Sequence, residues 1–159
     1  MKLLPHSLLD ELAAKAQASP RARAHHTIHA SAADPVQRFI VYAQPGSYFR
    51  PHRHRERAEL ALVLRGQFDV LTFDESGRVL ARFHVGEGTH DFAYETAPGT
   101  WHTLLPGPQG GAFLEVKEGP YDPATAAEFA AWAPPEGDAG VPPFFAWLRA
   151  AQPGDSAAR

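Results

Sequence analysis

Apolar and polar residues alternate in short runs through the middle of the chain, and glycine and proline separate these runs. Alternation with a period of two is typical of β-strands, because successive side chains point to opposite faces. The polar segment 74–77, which ends in Gly77, predicts a hairpin turn. Strands are predicted over residues 36–43, 48–54, 60–64, 67–73, 78–85, 91–96, 101–105 and 112–117. About eight short strands with few helices predict an all-β sandwich or barrel, a class that includes jelly rolls.

Helical spacing of apolar residues appears near the two ends of the chain. A stripe made by Leu8, Leu9, Leu12, Ala13 and Ala16 predicts a helix that Ser7 caps. Asp122 and Pro123 predict the start of a second helix that carries Phe129 and Trp132. Residues 144–148 predict a further short helix. The polar segment 21–35 is expected to be irregular.

Three histidines and one glutamate have spacings that predict a metal site. His52 and His54 are two residues apart, so a strand would point both imidazoles to one face. Glu59 follows far enough along for the chain to turn into a returning strand, and His102 follows the turn signal Pro98-Gly99. Imidazole and carboxylate ligands suit Fe, Zn, Mn, Ni, Co or Cu ions. The chain has no cysteine, which a closed structural zinc site would more typically use.

The same residues resemble the two motifs of the cupin superfamily. Residues 98–102 resemble the second motif, although Ala97 stands where that motif has proline and Pro106 where it often has asparagine. Neither departure removes a candidate ligand. The first motif is matched at Gly46, His52, His54, Glu59 and Gly66. The resemblance implies a cupin jelly-roll barrel, also called a double-stranded β-helix, with short helical extensions at both ends.

A closer resemblance, to the WbuC family of cupin-fold metalloproteins, covers roughly residues 3–137. It is carried by residues 34–38, 50–54, 98–102 and 113–122. That family takes its name from a gene found in O-antigen biosynthesis clusters, and its chemistry supplies no reaction for this chain. We expect one structural domain, in which residues 1–35 form an N-terminal helix and arm, residues 36–120 the barrel, and residues 121–159 a Pro-rich helical extension.

Composition narrows the functional classes. The net charge of −3 gives no support to nucleic-acid binding. No apolar run approaches the roughly 20 residues of a membrane span, and Pro5 and Asp10 interrupt the N-terminal stretch that a signal peptide would need. The absence of cysteine fits a reducing compartment. We therefore expect a cytoplasmic protein without membrane insertion.

The four candidate ligands, His52, His54, Glu59 and His102, should hold one divalent ion per chain. In an octahedral site they would leave two positions for water, substrate or O₂, which suits Lewis-acid or oxygen chemistry. Because binding needs neutral imidazoles, metal should be lost as the pH falls through roughly 6.5 and below. The alternative is a cupin that has lost its metal and uses the polar cluster only as a binding pocket.

Two further residues are predicted to face the ligand by strand parity. Arg50 and Tyr48 should share the face of His52 and His54, so Arg50 would grip an anionic group beside the metal. The alternative is a break in the strand at Pro51, which lacks a backbone N–H and could turn Arg50 out to solvent.

Four more candidates have two interpretations each. His26 and His29 belong either to a solvated loop or to a segment that folds over the barrel mouth near the metal. Glu115 and Lys117 alternate with apolar neighbours, so they either face solvent or enter the pocket as an acid–base or substrate-gripping pair.

Two functions are compatible with these features. One is a metal-dependent enzyme, of an isomerase or oxygenase type, acting on a small polar or anionic metabolite. The WbuC resemblance implies that this metabolite is a sugar or sugar-nucleotide of surface-polysaccharide biosynthesis. The other is a non-catalytic, metal-containing cupin that binds or senses a small molecule, in which the metal only orients the ligand. No residue is assigned as catalytic, and a homodimer is expected.

Overall fold

Two long antiparallel strands form the central ribbon of the computed structural model, which describes residues 1–157. Strand β4 (Glu59–Phe73) pairs with β7 (Trp101–Glu118) from one end to the other, so that Glu59 lies opposite Lys117 and Phe73 opposite Trp101. Each strand joins two segments that the sequence predicts as separate strands. Bulges beside Gly66, whose φ is 73°, let the ribbon bend without ending.

The remaining strands extend this ribbon into one eight-stranded sheet. It follows the order β1-β2-β7-β3-β8, and β4 also pairs with β5 and β6. One helix lies near each end of the described chain. The elements are α1 (Ser7–Ala18), β1 (Arg23–Thr27), β2 (Val36–Ala43), β3 (His52–Arg53), β5 (Val79–Gly86), β6 (Ala93–Thr96), β8 (Glu128–Phe129) and α2 (Val141–Ala150).

Three clusters of buried side chains hold these elements together. The inward faces of β2, β4 and β7 enclose one cluster around Phe68 and Phe113. Helix α1 packs Leu12 and its neighbours onto the outer face of β2, beside Ile40. Helix α2 contributes Leu148 to the third cluster, on the other side of the barrel. Complete burial of a leucine side chain such as Leu12 or Leu148 contributes about 2 kcal/mol.

Three predictions about elements are wrong. The segment predicted as irregular contains β1, which pairs with β2 in register. The predicted strand 48–54 is reduced to His52–Arg53, because Pro51 has no backbone N–H to donate. The predicted helix after Asp122 is only a turn, in which the Asp122 carboxylate accepts the N–H of Ala124. The chain then extends into β8, where its backbone pairs with the free edge of β3.

The N-terminal helix begins where the sequence predicts, although its cap differs. Ser7 is the first helical residue, and His6 occupies the capping position without a capping hydrogen bond from its side chain. Neither α1 nor α2 is long and apolar enough to span a membrane, and no other helix in residues 1–157 is either.

Candidate metal centre

The four predicted ligands come together in one mostly buried cluster. Strand pairing places His52 of β3 directly opposite His102 of β7. His54 follows β3, and Glu59 begins β4. One potential ligand atom from each of the four side chains lies within 4.8 Å of the other three. The cluster therefore brings together residues from three different strands and one loop.

Each imidazole in the cluster is oriented by a main-chain carbonyl. Nδ1 of His52 lies 3.0 Å from the carbonyl oxygen of Arg50. Nδ1 of His54 lies 2.5 Å from the carbonyl oxygen of Ala126, and Nδ1 of His102 lies 2.9 Å from that of Thr100. A carbonyl can only accept, so Nδ1 carries the proton in the neutral ring and Nε2 keeps its lone pair. In all three neutral imidazoles this tautomer leaves the Nε2 lone pair available to a metal ion, and in His54 that nitrogen lies 2.8 Å from Glu59 Oε2, another of the four candidate ligand groups.

The donor atoms fit a divalent metal ion in chemistry and in spacing. Two ligand atoms on opposite sides of one ion, at about 2.2 Å each, would be about 4.4 Å apart, which is close to the observed spread. Nε2 of His102 is buried and has no hydrogen-bond partner within residues 1–157. A buried nitrogen without a partner is costly unless something binds it. This unpartnered lone pair is the observation that favours metal binding over a purely structural cluster.

Electrostatics keep the carboxylate ionised. Burial alone raises the pKa of Glu59, but the neighbouring His102 and His54 and the charge of Lys117 outweigh it, so that pKa lies well below its usual value. The distance from Glu59 Oε2 to His54 Nε2 is 2.8 Å, and Glu59 Oε1 lies 3.6 Å from His102 Nε2. The second distance is too long for a good hydrogen bond, which agrees with the unpartnered state of His102 Nε2.

The histidines respond to this environment in opposite directions. Burial, together with the neighbouring His102, lowers the pKa of His52 to about 3. Burial also acts to lower the pKa of His102, but the Glu59 carboxylate more than offsets this effect and the pKa is raised. His52 is therefore neutral at physiological pH and ready to act as a ligand.

Glu115 and Lys117 enter the site rather than facing solvent. In the sheet, Lys117 lies between Glu59 and the β2 residue Gln37, so all three project from the same inward face. The Lys117 ammonium lies 2.6 Å from Glu115 Oε1 and 3.4 Å from Glu59 Oε2. Burial and the nearby Glu59 charge raise the pKa of Glu115. Burial would lower the pKa of Lys117, but its two carboxylate neighbours reverse the effect and raise it.

The prediction that Tyr48 faces the ligand is wrong. Its ring is buried against Phe144 and Phe145 beside α2, and its hydroxyl donates to the carbonyl of Pro134 at 3.0 Å. The parity argument fails because residues 48–51 are not in a strand. The break at Pro51 changes which face each residue presents, so Tyr48 and His52 point to different sides.

Arg50 borders the pocket beside His52, but its guanidinium is engaged by the protein. It donates to the carbonyls of Ala133 at 3.0 Å and Ala130 at 2.8 Å. These bonds hold the segment after β8 against the barrel. Arg50 therefore holds this segment in position. Its guanidinium is neither free to grip a ligand nor turned fully out to solvent, so neither predicted alternative describes it.

The two N-terminal histidines differ in their placement. His26 pairs in register with Ile40, so it lies on the outer face of the sheet toward α1 and away from the metal cluster. The prediction that His26 approaches the metal is wrong, because strand β1 alternates its faces. His29 is buried beside Phe39, and it lines a groove that also includes Glu115 and Lys117.

The sequence reasoning missed several polar residues around the cluster. Arg21 and Arg23 both bind the carboxylate of Glu136, at the entrance of the pocket. The hydroxyl of Tyr94 is buried without a partner in the described part of the chain. Burial, reinforced by the charges of Glu59 and Glu115, raises its pKa well above the usual value. Tyr94 shares strand parity with the buried Thr96, which pairs with Glu59, and this parity was the signal that could have found it.

Sequence comparison identifies a family. The family model described as a domain of unknown function (DUF6016) matches residues 4–85, which is 82 of the 159 residues. The chain belongs to the DUF6016 family. No protein with a curated description matches this DUF6016 chain.

Solved structures show that this DUF6016 chain has the cupin fold. An uncharacterised conserved protein with a double-stranded β-helix domain from Klebsiella pneumoniae is 17% identical, with a TM-score of 0.58 over 82% of this chain and 97% of that chain. An oxalate oxidase in complex with the substrate analogue glycolate is 18% identical, with a TM-score of 0.52 over 70% of this chain and 56% of that chain.

A third similar structure is the oxalate decarboxylase of Bacillus subtilis at pH 4.6. It is 23% identical, with a TM-score of 0.52 over 67% of this chain and 27% of that chain. The DUF6016 chain thus spans about a quarter of the length of the decarboxylase chains that it matches. These likenesses confirm the predicted all-β cupin barrel.

Proposed function

We propose that this protein is a metal-dependent enzyme that acts on a small anionic metabolite. The observation that carries the proposal is the buried Lys117–Glu115 pair, which lies directly beside the cluster of four metal-binding side chains. A site that served only to hold a metal for stability would not need a second buried carboxylate and an ammonium group at its edge. Buried charged pairs are costly and cluster at functional sites.

His52, His54, Glu59 and His102 would hold one divalent ion, drawn from Fe, Zn, Mn, Ni, Co or Cu. When bound, such an ion supplies Lewis-acid or oxygen chemistry to a coordinated oxygen atom. The carbonyls of Arg50, Ala126 and Thr100 keep the three imidazoles aimed at the shared centre before anything binds. This preorganisation lowers the cost of assembling the site.

Glu115 is the group best placed to accept a proton from a bound substrate. Its pKa is raised toward the range useful for a general base, and Lys117 at 2.6 Å stabilises the ionised form. Lys117 in turn can donate to an oxygen of the substrate that gains negative charge. An acid–base pair of this kind supports proton-transfer chemistry, such as isomerisation, more directly than oxygenation.

Charge around the site supports an anionic substrate. Three carboxylates, from Glu59, Glu115 and Glu136, face three cationic groups, and the salt bridges among them connect every member. The three cations are Arg21, Arg23 and Lys117. Arg50 also borders the pocket, so a bound divalent ion would leave it with a surplus of three positive charges. An anionic group on the substrate would neutralise this surplus.

The finer identity of the substrate rests on the resemblance to the WbuC family. The matching segments at residues 34–38, 98–102 and 113–122 support a sugar or sugar-nucleotide of surface-polysaccharide biosynthesis as the metabolite. The proposal also includes that the protein is cytoplasmic and forms a homodimer.

Metal analysis of protein purified without added metal, combined with mass spectrometry of any bound metabolite, tests the proposal. We expect one divalent ion per chain in the wild type. His102→Ala should lower metal affinity by more than about tenfold, because even loss of a group that only supports a ligand costs 10–100-fold. His90→Ala is the matched control, since His90 is exposed and lies outside the cluster, and it should retain the metal.

Glu115→Gln separates the enzyme from the non-catalytic binder. If Glu115 is the general base, this variant should keep its metal and its bound metabolite but lose about 100-fold or more of the turnover of that metabolite. A wild-type protein that holds metal and metabolite yet converts nothing would establish the binding or sensing function instead. A wild type without metal would refute both.

A further inference from the structure

A buried amide lies at the far end of the polar row that starts at the metal cluster. Glu59, Lys117 and Gln37 are neighbours across three adjacent strands. The side chain of Gln37 is 1% exposed, and its Nε2 donates to the carbonyls of Asp34 at 2.7 Å and Ala32 at 3.2 Å. Because carbonyl oxygens only accept hydrogen bonds, the amide end that faces them must be the NH₂ group. Oε1 has no hydrogen-bond partner in residues 1–157, so a buried acceptor is left unsatisfied.

Gln37 borders a groove of about 620 Å³ whose other walls are aromatic and polar. Phe39 and Phe49 supply ring surfaces, and the buried His29 packs edge-on against Phe39 with ring centroids 4.7 Å apart. Nδ1 of His29 accepts the backbone N–H of Arg38 at 2.9 Å. The same nitrogen lies 3.0 Å from the carbonyl oxygen of Arg38, so the Arg38 backbone holds the ring in place through Nδ1 and leaves Nε2 for a ligand.

This groove is continuous with the pocket at the metal cluster. Both are bordered by Arg23, Phe49, Lys117 and Tyr121. Gln37 lies two strand spacings from Glu59, which is about 10 Å. A ligand of six carbons in an extended form can therefore reach from one end of the row to the other.

We propose that this groove is a second subsite, which binds the hydroxylated end of a ligand whose anionic end lies at the metal cluster. The inference rests on the proposed function and extends it to a substrate class, a polyhydroxylated organic acid. A hydroxyl group is the chemical match, because it can donate to Gln37 Oε1 and can pair with His29 Nε2 as either a donor or an acceptor. Its carbon skeleton can lie against Phe39. An apolar group would leave Gln37 Oε1 without a hydrogen-bond partner. A charged group is not needed at this end, because Lys117 and Glu115 already neutralise each other.

Two matched probes test the subsite by isothermal titration calorimetry on the metal-loaded protein. D-gluconate carries a carboxylate and a hydroxylated chain. 2-Hydroxyhexanoate has the same length, the same carboxylate and the same adjacent hydroxyl, but lacks the distal hydroxyls. Any affinity difference therefore reports the hydroxyls at carbons 3 to 6, and the Gln37→Met variant separates their contact with the subsite from coordination of the metal. We expect D-gluconate to bind at least about tenfold more tightly, which is the effect of one or two satisfied buried hydrogen bonds.

Gln37→Met removes the acceptor while keeping a side chain of similar length. It should reduce D-gluconate affinity to that of 2-hydroxyhexanoate and leave the affinity for 2-hydroxyhexanoate and the metal content unchanged. Gln44→Met is the matched control, because Gln44 is a half-buried amide whose Nε2 donates to the carbonyl of Ala13 in α1, away from the groove. It should preserve the discrimination between the probes. If Gln37→Met does not fold, equal affinities of the two probes for the wild type still overturn the subsite.

Equal affinities of the two probes for the wild type would overturn the subsite, and so would discrimination that survives in Gln37→Met. In both cases binding of 2-hydroxyhexanoate to the metal-loaded protein would leave the proposed function standing. If neither probe binds while the metal is present, the subsite and the anionic-substrate part of the proposed function fail together.

Discussion

One ammonium group supports two buried carboxylates at the edge of the metal cluster. Lys117 lies within ion-pair distance of both Glu59 and Glu115, and all three side chains are largely buried. Like charges in a low-dielectric interior repel strongly, so the lysine is what allows the two carboxylates to stay ionised side by side. A bound divalent ion would share this task, because it would neutralise Glu59 from the other side.

Lys117→Met should therefore destabilise the metal-free protein. Removing one partner of a buried ion pair typically costs about 3–5 kcal/mol of unfolding free energy. Addition of the native metal should recover part of this loss. Urea unfolding with and without a chelator measures both effects.

Lys15→Met is the control for Lys117→Met. Lys15 is exposed on α1, so its replacement should change the unfolding free energy by less than about 0.5 kcal/mol. An equal cost for Lys117→Met with and without metal would contradict the shared neutralisation of Glu59.

Residue-level prediction from the sequence succeeded where spacing alone was needed. His52, His54, Glu59 and His102 were found because the cupin motif fixes their separations, and the structure brings them together. Tyr48 was misplaced because parity holds only within a continuous strand, and Pro51 ends the strand. Orientation by main-chain carbonyls could not be predicted, since the sequence does not show which carbonyl a ring nitrogen will meet.

Strand β8 forms part of the wall of the site, and a cluster of charged side chains holds this strand in place. Glu128 on β8 binds Arg53 at 2.7 Å and Arg55 at 2.7 and 2.8 Å. Hydrogen bonds from Arg53 and Arg55 lower the pKa of Glu128 to about 2. The carboxylate therefore links the short β8 to the end of β3.

The stability contributed by Glu128 should depend on pH. Its pKa is lower in the fold than in the unfolded chain, where glutamate titrates near 4.3, so the unfolded state binds more protons between these values. The contribution is present above about pH 4.3 and is lost as the pH falls toward 2. Urea unfolding of wild type and Glu128→Gln should show a difference at pH 7 that shrinks steadily below pH 4.5.

Glu95→Gln, at an exposed position on β6, serves as the control and should leave the pH profile of the wild type unchanged. A gap between wild type and Glu128→Gln that stays constant from pH 7 to pH 3 would show that β8 is held by something other than this carboxylate.

At the level of elements, the sequence predicted the strands with clear alternation. Residues 36–43 match β2 in full, and the hairpin at residues 74–77 joins β4 and β5 as expected. Elements without such a pattern were missed. Strand β1 is short and lies in a polar, histidine-rich segment, while β8 forms because the edge of β3 offers unpaired backbone groups. Those partners are distant in sequence, so local patterns cannot reveal them.

Across the whole molecule, the candidate metal ligands connect parts of the chain that are otherwise held by separate contacts. They come from β3, the loop after it, β4 and β7. An ion that binds all of them in the folded state, and fewer in the unfolded state, stabilises the entire fold by mass action.

We expect metal loading to raise the unfolding free energy of the wild type by about 2.7 kcal/mol when the free ion is at 100 times its dissociation constant. Denaturant unfolding over a series of buffered metal concentrations measures this slope. His102→Ala should give a much flatter dependence. A wild type whose stability does not respond to metal would contradict binding at this cluster.

The cupin barrel as a whole was predictable because its motif and its strand pattern agree. The substrate was not, because it depends on groove residues such as Gln37 and His29 that reach the pocket only through strand register. The charge balance at the entrance also escaped prediction, since Arg23 and Glu136 are far apart in sequence.

The bond that orients His54 has a consequence for how the protein matures during translation. Its acceptor, the carbonyl of Ala126, is made 72 residues after the histidine itself. The carbonyls of Ala130 and Ala133, which engage Arg50, are made later still. A nascent chain that ends before these residues contains every candidate ligand but lacks the wall that orients them. His54 can therefore reach the orientation that it has in the folded protein only after the ribosome has passed this segment.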